Sequence, residues 1–177
     1  MNTAELLDRY KHLFKKDQGV VLDLACGQGD NGLALKAQQI EVLFADINQQ
    51  HLSDLASDHH VDNNALWHAD FEGDGSTAPE KLSTLQLQGC IVFRYLHRPL
   101  FSAIKKAIKP GGFVIYETFT INNRQFGRPN SERFLLQENE LKALFSDWTI
   151  HFYFEGIKHD PMRSIAQIVC QKPLTEN

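Results

Sequence analysis

A glycine-rich turn follows the first apolar segment of the chain. Residues 23–32 read DLACGQGDNG, in which Gly27, Gly29 and Gly32 have the spacing G-x-G-x-x-G. Glycines at such a turn let the backbone approach a ligand closely, and the helix that follows presents unpaired N–H groups to it. The spacing therefore predicts a nucleotide site, with a nicotinamide or flavin dinucleotide and S-adenosylmethionine as the alternatives.

Three carboxylates bear on that choice. Asp23 stands in the apolar segment before the turn, and Asp46 and Asp70 end the next two apolar segments. An acid about 20 residues after the first glycine suits the ribose in either kind of site, so Asp46 does not discriminate. Asp23 does, because a carboxylate there repels a pyrophosphate and suits a ligand with ammonium and sulfonium charges. The balance favours the cationic cofactor.

The elements that would position these residues alternate along the chain. Apolar runs rich in β-branched residues predict strands, and apolar residues at helical spacing predict the helices between them. This order implies a doubly wound, mostly parallel α/β sheet, closed by an antiparallel edge hairpin. We expect Pro110-Gly111-Gly112 to end the helix before the fifth strand. Seven strands are predicted, at residues 20–25, 41–46, 65–70, 90–96, 112–119, 148–156 and 163–172.

Length and composition limit the function classes. The chain has 177 residues, 42% of them hydrophobic, which fits one compact domain over residues 1–177. Within it we expect an N-terminal helix in residues 1–16 and substrate-side loops at 120–135 and 156–163. A net charge of −4 argues against bulk binding of nucleic acid. Three separated cysteines and the lack of a long apolar run predict a cytoplasmic protein with no membrane partner and no metal site.

Four segments resemble the motifs of class I S-adenosylmethionine-dependent methyltransferases. The segment VLDLACGQG resembles motif I, with Ala25 in place of the first glycine, and FADIN resembles the second motif. The segment HADF resembles the one that contacts adenine, and IKPGGFVIYETF resembles the stretch that leads into the fifth strand. Within that family, FRYLHRPLF and FGRPNSERFLL resemble the small methyltransferases related to the tellurite-resistance protein TehB. The resemblance implies a Rossmann-like sheet, methyl transfer, and S-adenosyl-L-methionine as the cofactor.

The resemblance also implies roles for individual residues. Asp23 would lie near the methionine end of the cofactor, Asp46 on the ribose, and Asp70 on the adenine amine with Phe71 beside the ring. Ala25 adds a methyl group where the backbone approaches the cofactor, which an alanine tolerates only if its φ is negative. The cofactor-binding set is Asp23, Ala25, Gly27, Gly29, Asp46, Ile47, Asp70, Phe71 and Arg94.

The acceptor side is less defined by sequence. Methyl transfer can proceed largely by positioning, so no catalytic residue is fixed, although a general base helps an acceptor that must lose a proton. The candidates for that task follow or end the fourth and fifth strands: His97, Tyr95 and Glu117. Clustered arginines favour binding of an anionic group. The substrate-binding set is Tyr95, His97, Arg98, Glu117, Arg124 and Arg128, with His159 and Arg163 approaching from the last loop.

The leading hypothesis is a methyltransferase for a small-molecule acceptor, with an anion as one option. Three alternatives remain open: a methyltransferase acting on RNA or protein, a non-catalytic partner protein that binds S-adenosylmethionine, and a nicotinamide-dependent reductase. No appended basic module is present, and FRYLHRP stands where amine-methylating enzymes of bases carry an Asn-Pro-Pro-Tyr or Asp-Pro-Pro-Tyr motif. These observations disfavour a nucleic-acid partner.

Overall fold

Seven strands form one mixed sheet in the computed structural model, which describes residues 3–174. The strands are β1 Val21–Leu24, β2 Val42–Asp46, β3 Leu66–His68, β4 Leu87–Phe93, β5 Ile108–Phe119, β6 Thr149–His159 and β7 Met162–Gln171. Their order is β3-β2-β1-β4-β5-β7-β6, and every pair is parallel except the two that include β7. The predicted sheet, with its antiparallel edge hairpin, is confirmed.

Six helices lie in the described part of the chain. They are α1 Glu5–Tyr10, α2 Asp30–Lys36, α3 Gln49–His59, α4 Ala78–Thr84, α5 Leu100–Ala107 and α6 Glu140–Leu144. The helix expected within residues 1–16 is therefore short, and a turn of 3-10 helix at Lys11–Leu13 extends it. Residues 1, 2 and 175–177 of the predicted domain lie outside the described residues.

The helices cover both faces of the sheet. One buried cluster includes Leu82 of α4 and Ile104 of α5, and the other includes Leu7 of α1 and Leu52 of α3. All four residues of β1 are buried, because this strand is central and packed on both faces. The connections run to β2 on one side of β1 and return to β4 on the other. A crevice is expected outside the carboxyl ends of β1 and β4 at this reversal of strand order.

The fifth strand begins earlier than predicted. Residues 109–112 do not end α5 as a turn outside the sheet; they lie in β5 as a bulge, since Leu87 pairs with Ile108 and Gly89 with Phe113. The bulged backbone finds partners across the sheet: Gly111 N donates to Lys172 O at 3.0 Å, and Lys172 N donates to Gly112 O at 2.9 Å. These hydrogen bonds override the local turn preference of proline and glycine.

The loop predicted at 156–163 is wrong. The hairpin continues with Lys158 paired to Arg163 and His159 paired to Met162, so only Asp160 and Pro161 turn. Polar composition suggested a loop, but β6 is an edge strand and its outward side chains need no apolar character. The hairpin tip therefore extends beyond the carboxyl end of β5.

The segment 120–135 contains two short 3-10 helices, at Ile121–Gln125 and Glu132–Phe134. The buried Asn123 fixes its first half, accepting a hydrogen bond from Ser164 N at 2.9 Å through Oδ1. Between Thr3 and Leu174, no helix has both the length and the apolar character needed to cross a membrane.

Candidate functional site

The glycine-rich turn joins the end of β1 to the start of α2. Cys26 N donates to Ala45 O at 3.0 Å and Gly29 N to Cys26 O at 2.9 Å, which fixes the turn against β2. Gly27 has φ +56°, and a Cβ built on it would meet no atom within 4 Å. The turn therefore presents bare backbone to open space, as the close approach of a ligand requires.

Ala25 has φ +54°, in the left-handed region. The condition of a negative φ, under which an alanine was expected to be tolerated here, is therefore not met. The turn imposes the conformation that the family's glycine adopts freely, and an L-residue with a Cβ is held there at a cost of about 1–2 kcal/mol. Ala25 also packs against the core, which compensates part of that strain.

We expect Ala25→Gly to raise the free energy of unfolding by about 0.5 kcal/mol, because relief of the left-handed strain exceeds the added flexibility of the unfolded chain. Urea unfolding measures the change. The matched control is Ala34→Gly inside α2, where glycine should lower stability by about 1 kcal/mol. Equal losses in the two variants would contradict the strain at residue 25.

Asp23 is the buried carboxylate beneath the turn. Its Oδ2 accepts a hydrogen bond from Gly32 N at 2.8 Å, and the residue is 3% exposed. Burial raises the pKa of Asp23 to about 8, the Gly32 hydrogen bond opposes the rise, and the charge of Asp46 adds to it. A cation at the turn would reverse this effect by stabilising the ionised carboxylate.

Asp46, at the end of β2, faces the same turn. One oxygen accepts from Gly27 N at 2.7 Å and the other from Asn48 N at 2.8 Å. Each carboxylate oxygen has two acceptor positions, so both retain one for a ligand hydroxyl. Next to it, Ile47 is 60% exposed. The acid and the exposed apolar side chain together suit a ribose and an adenine ring.

Asp70 and Phe71 follow β3. Asp70 Oδ1 accepts from Glu72 N at 2.9 Å and from Gly73 N at 2.8 Å, so one oxygen closes a local turn. Phe71 is 6% exposed, and its ring meets the Trp67 ring edge-on at 5.3 Å. The ring packs in the core, and a contact of Phe71 with adenine stays a prediction. A contact of Asp70 with the adenine amine stays a prediction.

A cavity of about 590 Å³ opens at the carboxyl end of the sheet. We call it the strand-end cavity. It connects the glycine-rich turn to β5, β7 and the hairpin tip, and residues 3–5 cover one side. Its lining includes Gly27, Arg94, Glu117, Arg163 and Gln167.

Glu117 lies inside this cavity. Although it lines the cavity, the residue is only 6% exposed, and Gln167 directly opposite on β7 donates its side-chain amide to the carboxylate. Sequence reasoning missed Gln167. The signal was a polar residue in the otherwise apolar run SIAQIVC, at the position that pairs with Glu117 once the hairpin register is known.

Tyr95 and His97 lie beside Glu72 and outside the set that lines the strand-end cavity. His97 Nδ1 is 3.8 Å from a Glu72 carboxylate oxygen. Burial raises the pKa of the Tyr95 hydroxyl, and Glu72 raises it further. A tyrosine that keeps its proton at neutral pH can donate a hydrogen bond. Tyr95 is not among the residues that line the strand-end cavity with Glu117.

Arg98 does not face the cavity. Its Nε and Nη2 donate to the two Glu140 oxygens at 2.6 and 2.8 Å, and Nη2 also donates to Leu135 O at 2.9 Å. Its Nη1 donates to the carbonyls of Glu132 and Arg133. The hydrogen bond from Arg98 lowers the pKa of the Glu140 carboxyl. The guanidinium therefore joins α6 to the loop before it, and a role of Arg98 in substrate binding stays a prediction.

We expect Arg98→Met to lower the free energy of unfolding by about 2 kcal/mol, since five hydrogen bonds are lost at a partly exposed site. Chemical denaturation measures the loss. Arg124→Met is the control, because Arg124 is 44% exposed and contacts only Glu132 and Asn130 O among the hydrogen bonds and ion pairs of its side chain in residues 3–174. A loss no larger than that of the control would contradict the structural role.

The other arginines predicted at the site lie in two places: the loop after β5 and the strand-end cavity. Arg124 pairs with Glu132 within its own loop, and Arg128 is exposed in the same loop. Arg94 and Arg163 both line the strand-end cavity. Arg163 is steadied by hydrogen bonds from Nη1 to the carbonyls of Asp160 and Pro161. His159, on the hairpin, is exposed.

The family model described as tellurite resistance protein TehB matches residues 5–161 of the chain. A probable S-adenosyl-L-methionine-dependent methyltransferase TehB from Haemophilus influenzae is 28% identical over 142 residues, which cover 77% of this chain and 48% of that protein. The chain thus spans about half the length of this curated relative.

Solved structures share the fold. TehB from Haemophilus influenzae superposes with a TM-score of 0.69 at 19% identity, over 95% of this chain and 61% of that one. A SAM-dependent methyltransferase from Archaeoglobus fulgidus gives a TM-score of 0.66 at 18% identity, over 94% and 91% of the two chains. At these identities the likeness establishes architecture, and activity has to be argued from the site.

Proposed function

This chain belongs to the family described as tellurite resistance protein TehB, and from that premise we propose that it is an S-adenosyl-L-methionine-dependent methyltransferase acting on a small molecule. The observation that carries the proposal is the pairing of Asp46 with Gly27 at an open, glycine-rich turn beside the exposed Ile47. When bound, the cofactor supplies an electrophilic methyl group on a sulfonium.

The residues present fit this cofactor. The bare backbone at Gly27 leaves room for the ligand, and both Asp46 oxygens can still accept from ribose hydroxyls. The buried Asp23 carboxyl fits a cationic ligand better than a pyrophosphate, because a nearby cation would stabilise its ionised form and a nearby anion would raise its pKa further. Contacts of Arg94 with the cofactor and of Asp70 with adenine belong to the same proposal.

The strand-end cavity supports a small acceptor. Its volume of about 590 Å³ lies in the range of small-ligand sites, and residues 3–5 and the hairpin tip close it on two sides. Arg163 in its lining offers a partner for an anionic group on the acceptor. A cytoplasmic setting is also proposed, supported by the free thiols of Cys26, Cys90 and Cys170.

The test is titration calorimetry with S-adenosylmethionine, S-adenosylhomocysteine and NADH. Micromolar binding of the first two, and none of NADH, is the expected result. Binding of NADH alone would replace the proposal by a nicotinamide-dependent reaction. Cofactor binding without transfer to any small acceptor would favour a macromolecular acceptor or a non-catalytic binding protein.

A further inference from the structure

Glu117 stands out among the charged residues that line the strand-end cavity. It is buried, whereas the other charged residues of the lining are exposed or half-buried: Glu5, Asp30, Arg94, Asp160 and Arg163. No lysine, arginine or histidine nitrogen among residues 3–174 lies within ion-pair distance of its carboxylate. Its side-chain partner is the neutral amide of Gln167.

A buried carboxylate with one neutral partner is incompletely compensated. Ionised carboxylates accept several hydrogen bonds, and removing one from water costs several kcal/mol unless donors or a cation replace the water. The Gln167 amide supplies a donor from β7, while the cavity side of the carboxylate faces space large enough for a ligand. A donor from the ligand would complete the arrangement.

We propose that Glu117 binds the reacting end of the methyl acceptor, and that this end is an amine or hydroxyl group that carries a hydrogen. Arg163, which lines the same cavity, would then hold an anionic group elsewhere on the acceptor. This assignment rests on the proposed methyltransferase function and narrows its acceptor class.

In the proposed reaction, methyl transfer to the acceptor is accompanied by proton transfer to Glu117. The lone pair of the acceptor nitrogen or oxygen forms the new bond to the methyl carbon, while the carbon–sulfur bond breaks and its electrons stay on sulfur. The hydrogen of the acceptor passes to a Glu117 oxygen as a proton, so the carboxylate becomes a carboxylic acid. That proton then leaves to solvent.

A bare oxyanion such as tellurite or selenite fits this end of the cavity poorly. It brings a negative charge toward a buried negative charge, and Coulomb repulsion is strong where water is excluded. It also brings no hydrogen to donate when it is fully ionised. The family description therefore does not by itself identify the acceptor of this chain.

Amide NMR of the protein saturated with S-adenosylhomocysteine tests the assignment without turnover. The side-chain amide signal of Gln167, identified by its loss in Gln167→Met, reports on the Glu117 carboxylate. Methylammonium and ethanol are the probes for the amine and hydroxyl arms, and selenite is the anionic probe. We expect a saturable shift with one of the first two and none with selenite. A shift with selenite alone, or with no probe, would overturn the assignment.

Glu117→Gln separates the acceptor role from cofactor binding. S-adenosylhomocysteine affinity should stay within about twofold, while the probe shift is lost and kcat/KM for any amine or hydroxyl acceptor falls about 100-fold. Glu41→Gln is the matched control, because Glu41 directly precedes β2 at the end of the sheet away from the cavity. This variant should change neither the probe shift nor kcat/KM. If affinity for S-adenosylhomocysteine falls with the probe response, Glu117 is a cofactor residue. If the wild-type protein turns over tellurite and Glu117→Gln loses that turnover, the acceptor class is wrong. Failure of S-adenosylhomocysteine to bind wild-type protein would instead reject the methyltransferase proposal itself.

Discussion

Raising the pH from 5 to 8 should destabilise the folded protein through Asp23. In the unfolded chain this carboxyl has its ordinary pKa of 3.8, and burial raises the folded value to about 8. Between these values the folded state keeps a proton that the unfolded state has released. The contribution to stability is therefore complete below about pH 4, declines as the pH rises, and is lost by about pH 8. Near pH 7 the loss is on the order of 4 kcal/mol.

Urea unfolding of the wild type and of Asp23→Asn, at several values between pH 5 and pH 8, measures this contribution. The asparagine keeps the shape of the side chain and does not titrate, so other groups cancel in the difference. The wild type should lose stability relative to the variant as the pH rises. A constant difference across the range would mean that Asp23 is ionised in the folded protein, in spite of its burial.

Replacing Asp46 with alanine should weaken S-adenosylhomocysteine binding about 100-fold. Two hydrogen bonds from ribose hydroxyls to a charged acceptor account for roughly 3 kcal/mol, which corresponds to two decades of affinity. The variant also removes the acceptor that holds Gly27 N at 2.7 Å, so the turn itself becomes less ordered. Titration calorimetry gives the affinity directly.

Asp54→Ala is the control for that experiment. Asp54 lies on α3, the helix that follows Asp46 in the chain; it is exposed and accepts a hydrogen bond from the Gln50 side chain. The variant therefore removes one nearby negative charge and leaves the hydrogen bonds of the glycine-rich turn in place. Its affinity should match the wild type. Equal weakening in both variants would indicate a general charge effect and no direct contact at Asp46.

The sheet could be predicted because the residue pattern within each segment already favours a strand. The β-branched run before the glycine-rich turn forms the buried β1, and the two acids at 46 and 70 end up where parallel strands of the same sheet finish. The bulge in β5 could not be predicted, since Pro110 and Gly111 favour a turn locally. Hydrogen bonds of Gly111 and Gly112 with Lys172, and one from the Gln171 side chain to Gly111 O, hold the segment in the sheet.

The site was partly predictable for the same reason. Residues whose placement follows from a strand end, such as Asp23, Asp46 and Glu117, lie at the carboxyl edge as expected. The structural contacts of Arg98 could not be predicted, because they depend on Glu140, which is distant in sequence. The positive φ of Ala25 could not be predicted, because the turn as a whole sets this backbone angle and alanine as a residue type does not favour it.

The route of the chain has a practical consequence for protein engineering. Thr3, Ala4 and Glu5 line the strand-end cavity, and Ala4 N is tied to Asn31 Oδ1 at 2.9 Å beside the glycine-rich turn. Lys172, in contrast, pairs with Gly111 and Gly112 at the amino end of β5. A tag or fusion partner joined directly ahead of Thr3 would start beside the lining of the cavity, whereas one joined directly after Leu174 would start near Gly111, at the amino end of β5. Affinity handles, fluorophores and surface attachment for binding assays therefore belong at the carboxyl terminus.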